Sequence, residues 1–313
     1  MSETATTTRP QQAQQEAALL FIHAQTPLHP GSGTALGTVD LPVQRERHTQ
    51  WPLIPGSTIK GILRDACRRG GGNNADLYAA FGPETAEADK HAGALSFTDA
   101  CILAFPVRSL MGVFAWVTCR AVLERLVRDV KLARADGAAL RIPKPLAKDK
   151  ALCQRSSPLL MGGNKLVLEE FEFERADDDA DPGAAWVAEH AFDEDDRFTP
   201  ERFKSRLVVL HDDDFTYFVR HATEVVARVG LDYERKTVKS GALFYEEFLP
   251  AETLFYSLVL ASPSRREGHG KTAREILDYL RANMPPVLQI GGDETIGKGL
   301  CAVRLDIGEE VTR

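Results

Sequence analysis

Cysteine is scarce in this chain, and its spacing supports neither a cross-linked framework nor a structural metal site. The 313 residues contain five cysteines, which are Cys67, Cys101, Cys119, Cys153 and Cys301. Their number is odd and no CxxC pair occurs, so neither a disulfide framework nor a structural zinc site is predicted. We therefore expect a reduced, cytoplasmic protein.

Long hydrophobic runs are missing as well. No apolar stretch approaches the roughly 20 residues that a membrane helix requires, and we expect no membrane partner. Residues 1–17 (MSETATTTRPQQAQQEA) lack the apolar centre of a signal peptide and are predicted to form a disordered tail.

Positive charge is in deficit overall, and the net charge of −7 by itself argues against a nucleic-acid partner. The distribution of charge reverses that conclusion. Residues 172–214 contain 15 acidic and 5 basic residues, a net of −10, so the rest of the chain carries about +3. Residues 41–70 contain 6 basic and 2 acidic residues, a local net of +4. A basic binding site therefore remains compatible with the composition.

The acidic segment 172–214 is interpreted as a solvated insertion that serves solubility. Clustered carboxylates offer the alternative of a divalent-cation site. The spacing matches no EF-hand, because the loop glycine and the final glutamate are missing.

The stretch 26–69 combines a loop rich in glycine and proline with a helix that carries basic residues. Ser57 is expected to cap this helix. Ile59, Ile62, Leu63 and Ala66 follow helical spacing and are predicted to form its buried face. Lys60, Arg64 and Arg68 recur every fourth residue as a neighbouring stripe. A helix N-terminus beside a cationic stripe favours a polyanion.

The first half of the chain predicts an α+β fold. An apolar strand is expected at 17–25, the basic helix follows, and residues 70–93 are expected to be a loop with at most one helical turn. Strands are predicted at 94–107 and 112–119, and a helix at 120–134. The order strand, helix, strand, strand, helix fits a ferredoxin-like or RRM-like core.

The second half alternates predicted strands and helices. A strand is expected at 165–173, a helix near 200–210, a strand pair within 215–247, a strand at 252–261 and a helix at 272–283. The tip of the strand pair carries Arg235, Lys236 and Lys239. This tip is either a projection toward a phosphate backbone or an ordinary surface hairpin.

A glycine-rich loop near the C-terminus resembles a P-loop only superficially. In Gly292-x-x-x-x-Gly297-Lys298, Gly299 stands where the magnesium-binding Ser or Thr belongs, and too few residues follow for a nucleotide-binding sheet. The pattern predicts strand, loop, strand. Backbone N–H groups from Gly291 to Gly299 either form a nest for a phosphate, with Lys298 adding charge, or serve only a tight turn.

Four blocks of the sequence together resemble the RAMP (repeat-associated) superfamily, and in particular the backbone subunits of type III-B (Cmr) CRISPR RNA-silencing complexes. They are HPGSGTALGTVDLPVQRERHTQWPLIPGSTIKGILR, GALSFTDACILAFPVRSL, GALFYEEFLPAETLFY and IGGDETIGKG. The resemblance covers nearly the whole chain after residue 18. Thr58 and Gln50 depart mildly from the usual Ser and Gly, and the acidic insertion is the least similar part.

The resemblance implies one domain at 18–313, with an RRM-like palm, an insertion at about 135–214 and a projecting thumb hairpin at about 220–248. Copies of the chain would stack head to tail along a guide RNA, together with other subunits of the effector complex. Their thumbs would interrupt the duplex of guide and complementary target RNA at regular intervals. Base pairing would read the sequence, while the protein holds the backbone.

The same resemblance assigns roles to individual residues in guide binding. Lys60, Arg64 and the loop at Gly291, Gly292, Gly297, Lys298 and Gly299 would hold guide phosphates. The further RNA-binding candidates are Ser57, Arg68, Arg45, Arg47 and the hairpin residues Arg235, Lys236 and Lys239.

In this family, the loop aspartate that matches Asp40 is required for cleavage of target RNA. Its carboxylate would hold a divalent ion, Mg²⁺ or Mn²⁺, or orient the 2′-hydroxyl for in-line attack, leaving a cyclic phosphate and a 5′-hydroxyl. His29 is a candidate general acid or base, or alternatively a residue that only braces the loop. Glu246 or Glu247 is a further catalytic candidate.

Three functions follow as alternatives. The first is a metal-dependent endoribonuclease subunit with Asp40 in the active-site loop. The second is a non-catalytic guide-RNA scaffold in which Asp40 only braces the loop. The third is a precursor-guide-RNA processing nuclease that acts as a monomer without metal, with His29 as the base.

Overall fold

The structure is a computed structural model that describes residues 15–308 except 36, 72, 134–139, 177–182, 233 and 236. Within those residues the fold is mixed α+β, built on one nine-stranded sheet with a separate hairpin and a small three-stranded sheet. The strands are β1 (Glu16–Ala24), β2 (Leu53–Ile54), β3 (Leu95–Phe97), β4 (Ala100–Arg108), β5 (Phe114–Cys119), β6 (Lys150–Ala151), β7 (Lys165–Leu168), β8 (Phe171–Arg175), β9 (Leu207–Leu210), β10 (Glu224–Leu231), β11 (Val238–Phe248), β12 (Leu254–Ala261), β13 (Val287–Gln289) and β14 (Leu300–Asp306). The helices are α1 (Gly56–Arg69), α2 (Asn74–Phe81), α3 (Arg120–Leu132), α4 (Ala184–Ala191), α5 (Thr199–Arg206), α6 (Asp212–His221) and α7 (Ala273–Asn283).

The main sheet has the strand order β13-β14-β1-β12-β4-β5-β9, with β2 on β4 and β3 on β12. Strand β1 is almost entirely buried, because it pairs antiparallel with β12 on one side and β14 on the other. The elements β1, α1, β4, β12, α7 and β14 thus form a βαββαβ unit whose four strands lie in the order β14-β1-β12-β4.

The predicted α+β class is confirmed, but the elements that complete the unit differ from those predicted. The expected core continued directly from β4 into β5 and α3. In the structure β5 pairs with the outer side of β4, and β12 occupies the place beside β1. Hydrophobic periodicity predicts that a strand exists but not which strand becomes its neighbour, because that depends on contacts distant in the chain.

Helix α1 begins at Gly56, one residue before the predicted cap. Pro55 precedes the helix, and the exposed Ser57 makes no capping hydrogen bond. The first amide is satisfied instead by Asp99, whose Oδ1 accepts from the Gly56 N–H at 2.8 Å. Glycine is required here because a Cβ would lie 2.5 Å from the Phe97 carbonyl oxygen. The prediction of Ser57 as the cap is therefore wrong.

The acidic segment is folded onto the main sheet rather than merely solvated. Helix α4 buries Trp186, helix α5 buries Phe203, and β9 pairs parallel with β5. The predicted helix near 200–210 ends at Arg206, because the run Leu207–Leu210 is fully apolar and becomes this buried strand. Apolar residues placed between the acidic ones thus supply a packed inner face.

Two further expectations are corrected. The presumed loop at 70–93 contains helix α2, where Asn73 caps by accepting from the Ala75 N–H at 2.9 Å. The strand pair expected within 215–247 starts only at Glu224, because residues 212–221 form helix α6 behind an acidic first turn. The predicted tail is also shorter at its C-terminal end, since β1 already begins at Glu16; residues 1–14 lie outside the described part.

The pair β10 and β11 is a two-stranded hairpin that joins no other sheet. Most of its described side chains are exposed, and among these the buried ones lie at its base, at Glu246, Glu247 and Phe248. The predicted strand pair is confirmed in this narrower range. Among the described helices none is long and apolar enough to cross a membrane.

The five cysteines are free thiols, four of them buried. Burial raises the pKa of Cys67 and that of Cys153 to about 11. These thiols are therefore protonated at neutral pH and contribute to packing rather than to chemistry.

Candidate functional site

The loop that carries Asp40 lies along the base of the hairpin. The N–H groups of Asp40 and Leu41 both donate to the Tyr245 carbonyl, at 3.1 and 3.0 Å, and the Glu247 N–H donates to the Leu41 carbonyl at 3.0 Å. The Asp40 Oδ2 accepts from the Tyr245 N–H at 2.7 Å. Among the described residues, none donates to its other oxygen. One carboxylate oxygen is thus fixed, while the second has no donor among the described residues and belongs to a partly exposed side chain.

Glu247 holds the same loop from the inner side. Its Oε2 accepts from the Val43 N–H at 3.0 Å, and its Oε1 accepts from Arg45 Nη2 at 2.6 Å. Its carbonyl lies 2.6 Å from His29 Nδ1. Both carboxylate oxygens are therefore occupied in a side chain that is only 8% exposed. The geometry gives Glu247 a role in holding the loop, in contrast to the catalytic role that the sequence suggested.

Arg45 and Arg47 were both predicted to contact RNA, but their surroundings in the structure differ. Arg45 points inward, donating to the carbonyls of Gln50 and Val219 at 2.9 Å each as well as to Glu247. These bonds engage its guanidinium within the protein, and its contact with RNA stays a prediction. Arg47 is exposed and remains a candidate.

His29 occupies a closed environment at the same junction. It is 8% exposed, with Nδ1 on the Glu247 carbonyl and Nε2 3.7 Å from Glu246 Oε1. Its ring lies 5.6 Å from the Phe248 ring, and Gly31 passes so close that a Cβ there would lie 2.6 Å from Nε2. The geometry favours the loop-bracing alternative over proton transfer to a substrate.

Glu246 is also buried, but it forms its ion pair with a different arginine from Glu247. Its Oε2 accepts from Arg228 Nε at 3.0 Å, and Arg228 Nη2 donates to Asp293 Oδ2 at 2.5 Å. The ion pair places Glu246 between the hairpin and the glycine-rich loop. Neither Arg228 nor Asp293 was expected at the site, because their pairing joins positions 65 residues apart in the sequence.

The C-terminal loop has the predicted order of strand, glycine-rich loop and strand. Gly291, Gly297 and Gly299 have positive φ angles. A Cβ at Gly291 would lie 2.3 Å from the His29 carbonyl oxygen, and one at Gly299 would lie 2.1 Å from the Ile290 carbonyl oxygen. The glycines therefore satisfy the turn and its close packing.

Most amides of this loop already have protein partners. The N–H groups of Gly292, Gly297, Lys298 and Gly299 donate to the carbonyls of His29, Glu294, Asp293 and Pro27, respectively. A phosphate nest would lose these four donors, so the tight-turn alternative fits better. The Lys298 ammonium lies 5.1 Å from the centroid of the Phe248 ring and supplies the charge at this position.

The basic residues of α1 form the predicted stripe, but their side chains already have partners within the protein. Lys60 Nζ donates to the Leu95 carbonyl at 3.1 Å, and Arg64 Nη2 donates to the Pro83 carbonyl at 2.8 Å. Arg68 forms an exposed ion pair with Glu84 at 2.6 Å. Lys60 keeps its positive charge available after its bond to a carbonyl. The Glu84 carboxylate offsets the charge of Arg68 and, at 3.6 Å from Arg64 Nη2, part of the charge of Arg64.

The charge around Lys60 is reinforced by a residue that sequence analysis missed. Burial, followed by the positive charges of Arg64 and Arg265, lowers the pKa of Lys60. Arg265 is exposed in the loop after β12. The signal in the sequence is the basic run SRREGHGK, which is distant from α1 along the chain.

At the hairpin tip Arg235 and Lys239 are exposed, as a surface that reaches toward a phosphate would require. Lys236 lies outside the described residues. The tip candidates thus remain predictions.

Asp40 stands as a single carboxylate. In the part of the chain that the structure describes, no group of three or more His, Cys, Asp or Glu side chains could hold a metal ion. Mg²⁺ is commonly bound through one or two carboxylates together with substrate phosphates and water. The second carboxylate oxygen of Asp40 therefore fits a cation that RNA phosphates complete, and the described residues do not fit one held by protein alone.

Comparison with known proteins identifies the family. Residues 21–302 match the RAMP superfamily. The chain belongs to the RAMP superfamily. The match begins before His29 and includes Asp40, the hairpin and the glycine-rich loop, so all the elements of the site lie within it.

Relatives of this RAMP protein cover nearly its whole length. A protein of Pyrococcus furiosus named "CRISPR system Cmr endoribonuclease Cmr4" is 40% identical over 300 residues, which are 95% of this chain and 97% of the relative. A Saccharolobus solfataricus protein named "CRISPR system CMR subunit Cmr4" is 28% identical and covers 91% of this chain and 94% of its own length.

Solved structures of RAMP proteins show the same fold. Oligomeric Cmr4 from Pyrococcus furiosus is similar with a TM-score of 0.72 at 32% identity, covering 94% of this chain and 99% of that chain. A chain in a cryo-EM structure of the type III-B Cmr-beta complex bound to cognate target RNA has a TM-score of 0.70 at 23% identity, covering 92% and 96% of the two chains.

Proposed function

We propose that this RAMP protein is the backbone subunit of a type III-B CRISPR effector complex, which binds guide RNA and cleaves complementary target RNA. The relative that shares 40% of its residues over 95% of the chain is named an endoribonuclease. Another similar structure, at 32% identity, is an oligomer of Cmr4. Such a complex acts in the cytoplasm, where guides and transcripts meet.

The fold supplies the parts that this function needs. The βαββαβ unit serves as an RRM-like palm, and the hairpin of β10 and β11 serves as a thumb within a single domain at 18–313. The hairpin exposes apolar side chains that can insert between base pairs, among them Val225, Val229 and Leu243, which are 50%, 51% and 52% exposed. Inserted apolar side chains unstack neighbouring bases and kink a duplex.

Asp40 lies at the base of this hairpin, where it bonds Tyr245. Because the Tyr245 N–H occupies only one carboxylate oxygen, the other oxygen can accept a hydrogen bond from a 2′-hydroxyl of the target. That hydroxyl attacks the adjacent phosphorus in line, the bond to the 5′-oxygen breaks, and a cyclic phosphate and a 5′-hydroxyl remain. Water takes up the hydroxyl proton and supplies one to the leaving oxygen. Correct alignment of reacting atoms alone lowers such a barrier considerably.

A divalent ion, Mg²⁺ or Mn²⁺, fits this site when RNA phosphates contribute ligands beside Asp40. Bound there, the ion would stabilise the negative charge that develops on the phosphate. The chain's own contribution is one oriented carboxylate oxygen, because the nearby carboxylates Glu246 and Glu247 are already paired with arginines.

The guide strand is expected on the basic surface formed by Lys60, Arg64 and Lys298, with the exposed tip residues Arg235 and Lys239 reaching toward the RNA. Contacts of this kind neutralise phosphates without reading bases. Repeated head-to-tail contact between copies gives a filament whose length the RNA sets. Other subunits of the effector complex would contact the same RNA.

The observation that carries the proposal is the partly exposed carboxylate of Asp40, held through one oxygen by the base of an exposed hairpin, in a chain of this family. To test it, Asp40→Ala and Asp40→Asn proteins are assembled on guide RNA and given labelled complementary target and Mg²⁺. We expect regularly spaced cuts by the wild-type chain and none by either variant, with target binding retained. Asp89→Ala serves as the matched control, because Asp89 is an exposed acidic residue in a different part of the sequence from Asp40.

Each alternative predicts a different result. A scaffold without catalysis leaves the target intact even with the wild-type chain. Periodic cuts that persist in both Asp40 variants would remove Asp40 from the mechanism. Cleavage of precursor guide RNA by the isolated chain in the presence of a chelator would favour a processing nuclease. The enclosed position of His29 argues against that result.

A further inference from the structure

Arg228 connects two parts of the molecule that the sequence keeps far apart. It projects from β10, where its Nε donates to Glu246 at the base of β11 and its Nη2 donates to Asp293 in the glycine-rich loop. The contact is buried at the Glu246 end, where the side chain is 8% exposed, and partly exposed at the Asp293 end, where it is 29% exposed. A guanidinium suits the position because its planar fork reaches two carboxylates in fixed directions.

Phe248 and His29 reinforce the same connection. The Phe248 ring has the Arg228 guanidinium 5.5 Å and the Lys298 ammonium 5.1 Å from its centroid. The His29 carbonyl accepts from the Gly292 N–H at 3.0 Å, while its ring contacts the Glu247 carbonyl. The glycine-rich loop, the hairpin base and the Asp40 loop therefore meet in one packed cluster.

The position of Asp40 depends on this cluster through a single strand. Asp40 is oriented by Tyr245, which is the residue immediately before Glu246. Consecutive residues of a strand move together, so displacement of Glu246 also displaces the N–H that orients the carboxylate. A misplacement of about 1 Å far from the chemistry can lower a rate about 100-fold.

We propose that Arg228 is a positioning residue for target cleavage: by bridging Glu246 and Asp293, it fixes the hairpin base against the glycine-rich loop and so sets the orientation of Asp40. The inference rests on the proposed function. It adds that the loop expected beside the guide strand and the loop expected to cut the target are mechanically joined, with Arg228 as the ionic link between them.

The experiment measures single-turnover cleavage at saturating target by complexes assembled on guide RNA. We expect Arg228→Met to reduce the maximal rate about 10- to 100-fold, with affinities for guide and target within about twofold of wild type. Arg228→Lys restores part of the rate, because it keeps one charged contact. The shape of the pH–rate profile stays unchanged, since Arg228 transfers no proton.

Two further variants distinguish a loss of positioning from misfolding of the protein. Arg228→Met combined with Glu246→Gln removes the bridge without leaving a buried carboxylate unpaired. Asp293→Asn cuts only the contact to the glycine-rich loop. We expect the effects of Arg228→Met and Asp293→Asn to be strongly non-additive, as residues of one network are. Arg108→Met, at an exposed pair with Glu169, is the matched control and retains full activity.

The outcomes separate this inference from the proposed function. If wild-type complexes make no cuts that depend on Asp40, the proposed function fails. If they do, and both Arg228→Met and Asp293→Asn cleave at the wild-type rate, only the positioning role is overturned. A loss of guide affinity equal to the loss of rate also overturns it, because the side chain would then act in binding.

Discussion

The loop that carries Asp40 and helix α1 are neighbours in the sequence, yet they are held in place by different means. Helix α1 buries Ile59, Leu63 and Cys67 along one face, at spacings visible in the sequence itself. The loop has no regular structure, and its polar contacts reach Tyr245 and Glu247, about 200 residues away.

This difference explains why guide binding and target cleavage, the two proposed tasks, depend on different parts of the molecule. A helix with its own apolar face can present cations to a guide strand with little dependence on the hairpin. The Asp40 loop takes its shape from the hairpin base, so any change there changes the site. Perturbing the hairpin base is therefore expected to affect cleavage first, and perturbing α1 is expected to affect guide binding first.

The largest effect is expected from Glu247→Ala. The change removes the acceptor for the Val43 N–H and leaves the partly buried Arg45 with its carbonyl acceptors but no carboxylate. The expected cost is about 3 kcal/mol of folding free energy, the lower end for breaking a buried ion pair. Urea unfolding measures this loss, and cleavage assays report the expected loss of activity. A double variant with Arg45→Met should recover part of the stability. Equal stability of Glu247→Ala and wild type would show that the loop is not held from this side.

Gly291→Ala is expected to cost about 1–3 kcal/mol. The new Cβ would lie 2.3 Å from the His29 carbonyl oxygen on a backbone with φ of +82°. Gly268→Ala is the matched control, because its φ is +71° and no atom lies within 4 Å of the new Cβ. Thermal unfolding should show a larger loss for Gly291→Ala. Identical losses would mean that the contact with His29 contributes nothing beyond backbone strain.

A smaller effect, on binding alone, is expected from Lys60→Ala. Guide affinity should fall about tenfold, and the slope of log affinity against log salt should become shallower by roughly 0.7, the contribution of one phosphate contact on a single strand. Once assembled at saturating guide, the complex should cut target at the wild-type rate. Arg69→Ala, whose charge is paired with Asp65, controls for the general loss of positive charge on α1. An equal slope for Lys60→Ala and wild type would contradict the contact.

The smallest effect concerns acid stability at Glu46, next to Arg45. Burial alone would raise the pKa of Glu46, but hydrogen bonds from Arg125 and Thr49 prevail and lower it. Its stabilising contribution is therefore complete above the ordinary value of 4.5 and is lost as the pH falls below it through the lower folded value.

Denaturant unfolding between pH 3 and pH 7 tests this assignment. Glu46→Gln should cost at most about 1 kcal/mol at neutral pH and nothing at the acid end. A constant difference across the whole range would show that the charge of Glu46 is not involved.

Much of the fold was predictable from local patterns. Helix α7 begins behind Thr272 and buries Ile276, Leu277 and Leu280, as its spacing indicates, and the strand pair and the glycine-rich turn were also predicted. The place of β12 beside β1 was not predictable, because it depends on pairing across more than 200 residues. The buried inner face of the acidic segment was not predicted, because the net charge of a segment does not report the apolar residues that lie between its carboxylates.

By itself, the sequence determined the class of fold, the family and the identity of Asp40 as the residue to test, because these depend on local periodicity and on motifs that can be recognised in a chain. Only the tertiary structure decided what surrounds that residue. In the sequence, Arg45, Glu246 and Glu247 are candidates for RNA binding or catalysis, but folding pairs Arg45 with Glu247 and pairs Glu246 with Arg228. The role of a charged side chain depends on the ion-pair partner that it contacts in the folded protein, and for these residues the partner lies elsewhere in the sequence.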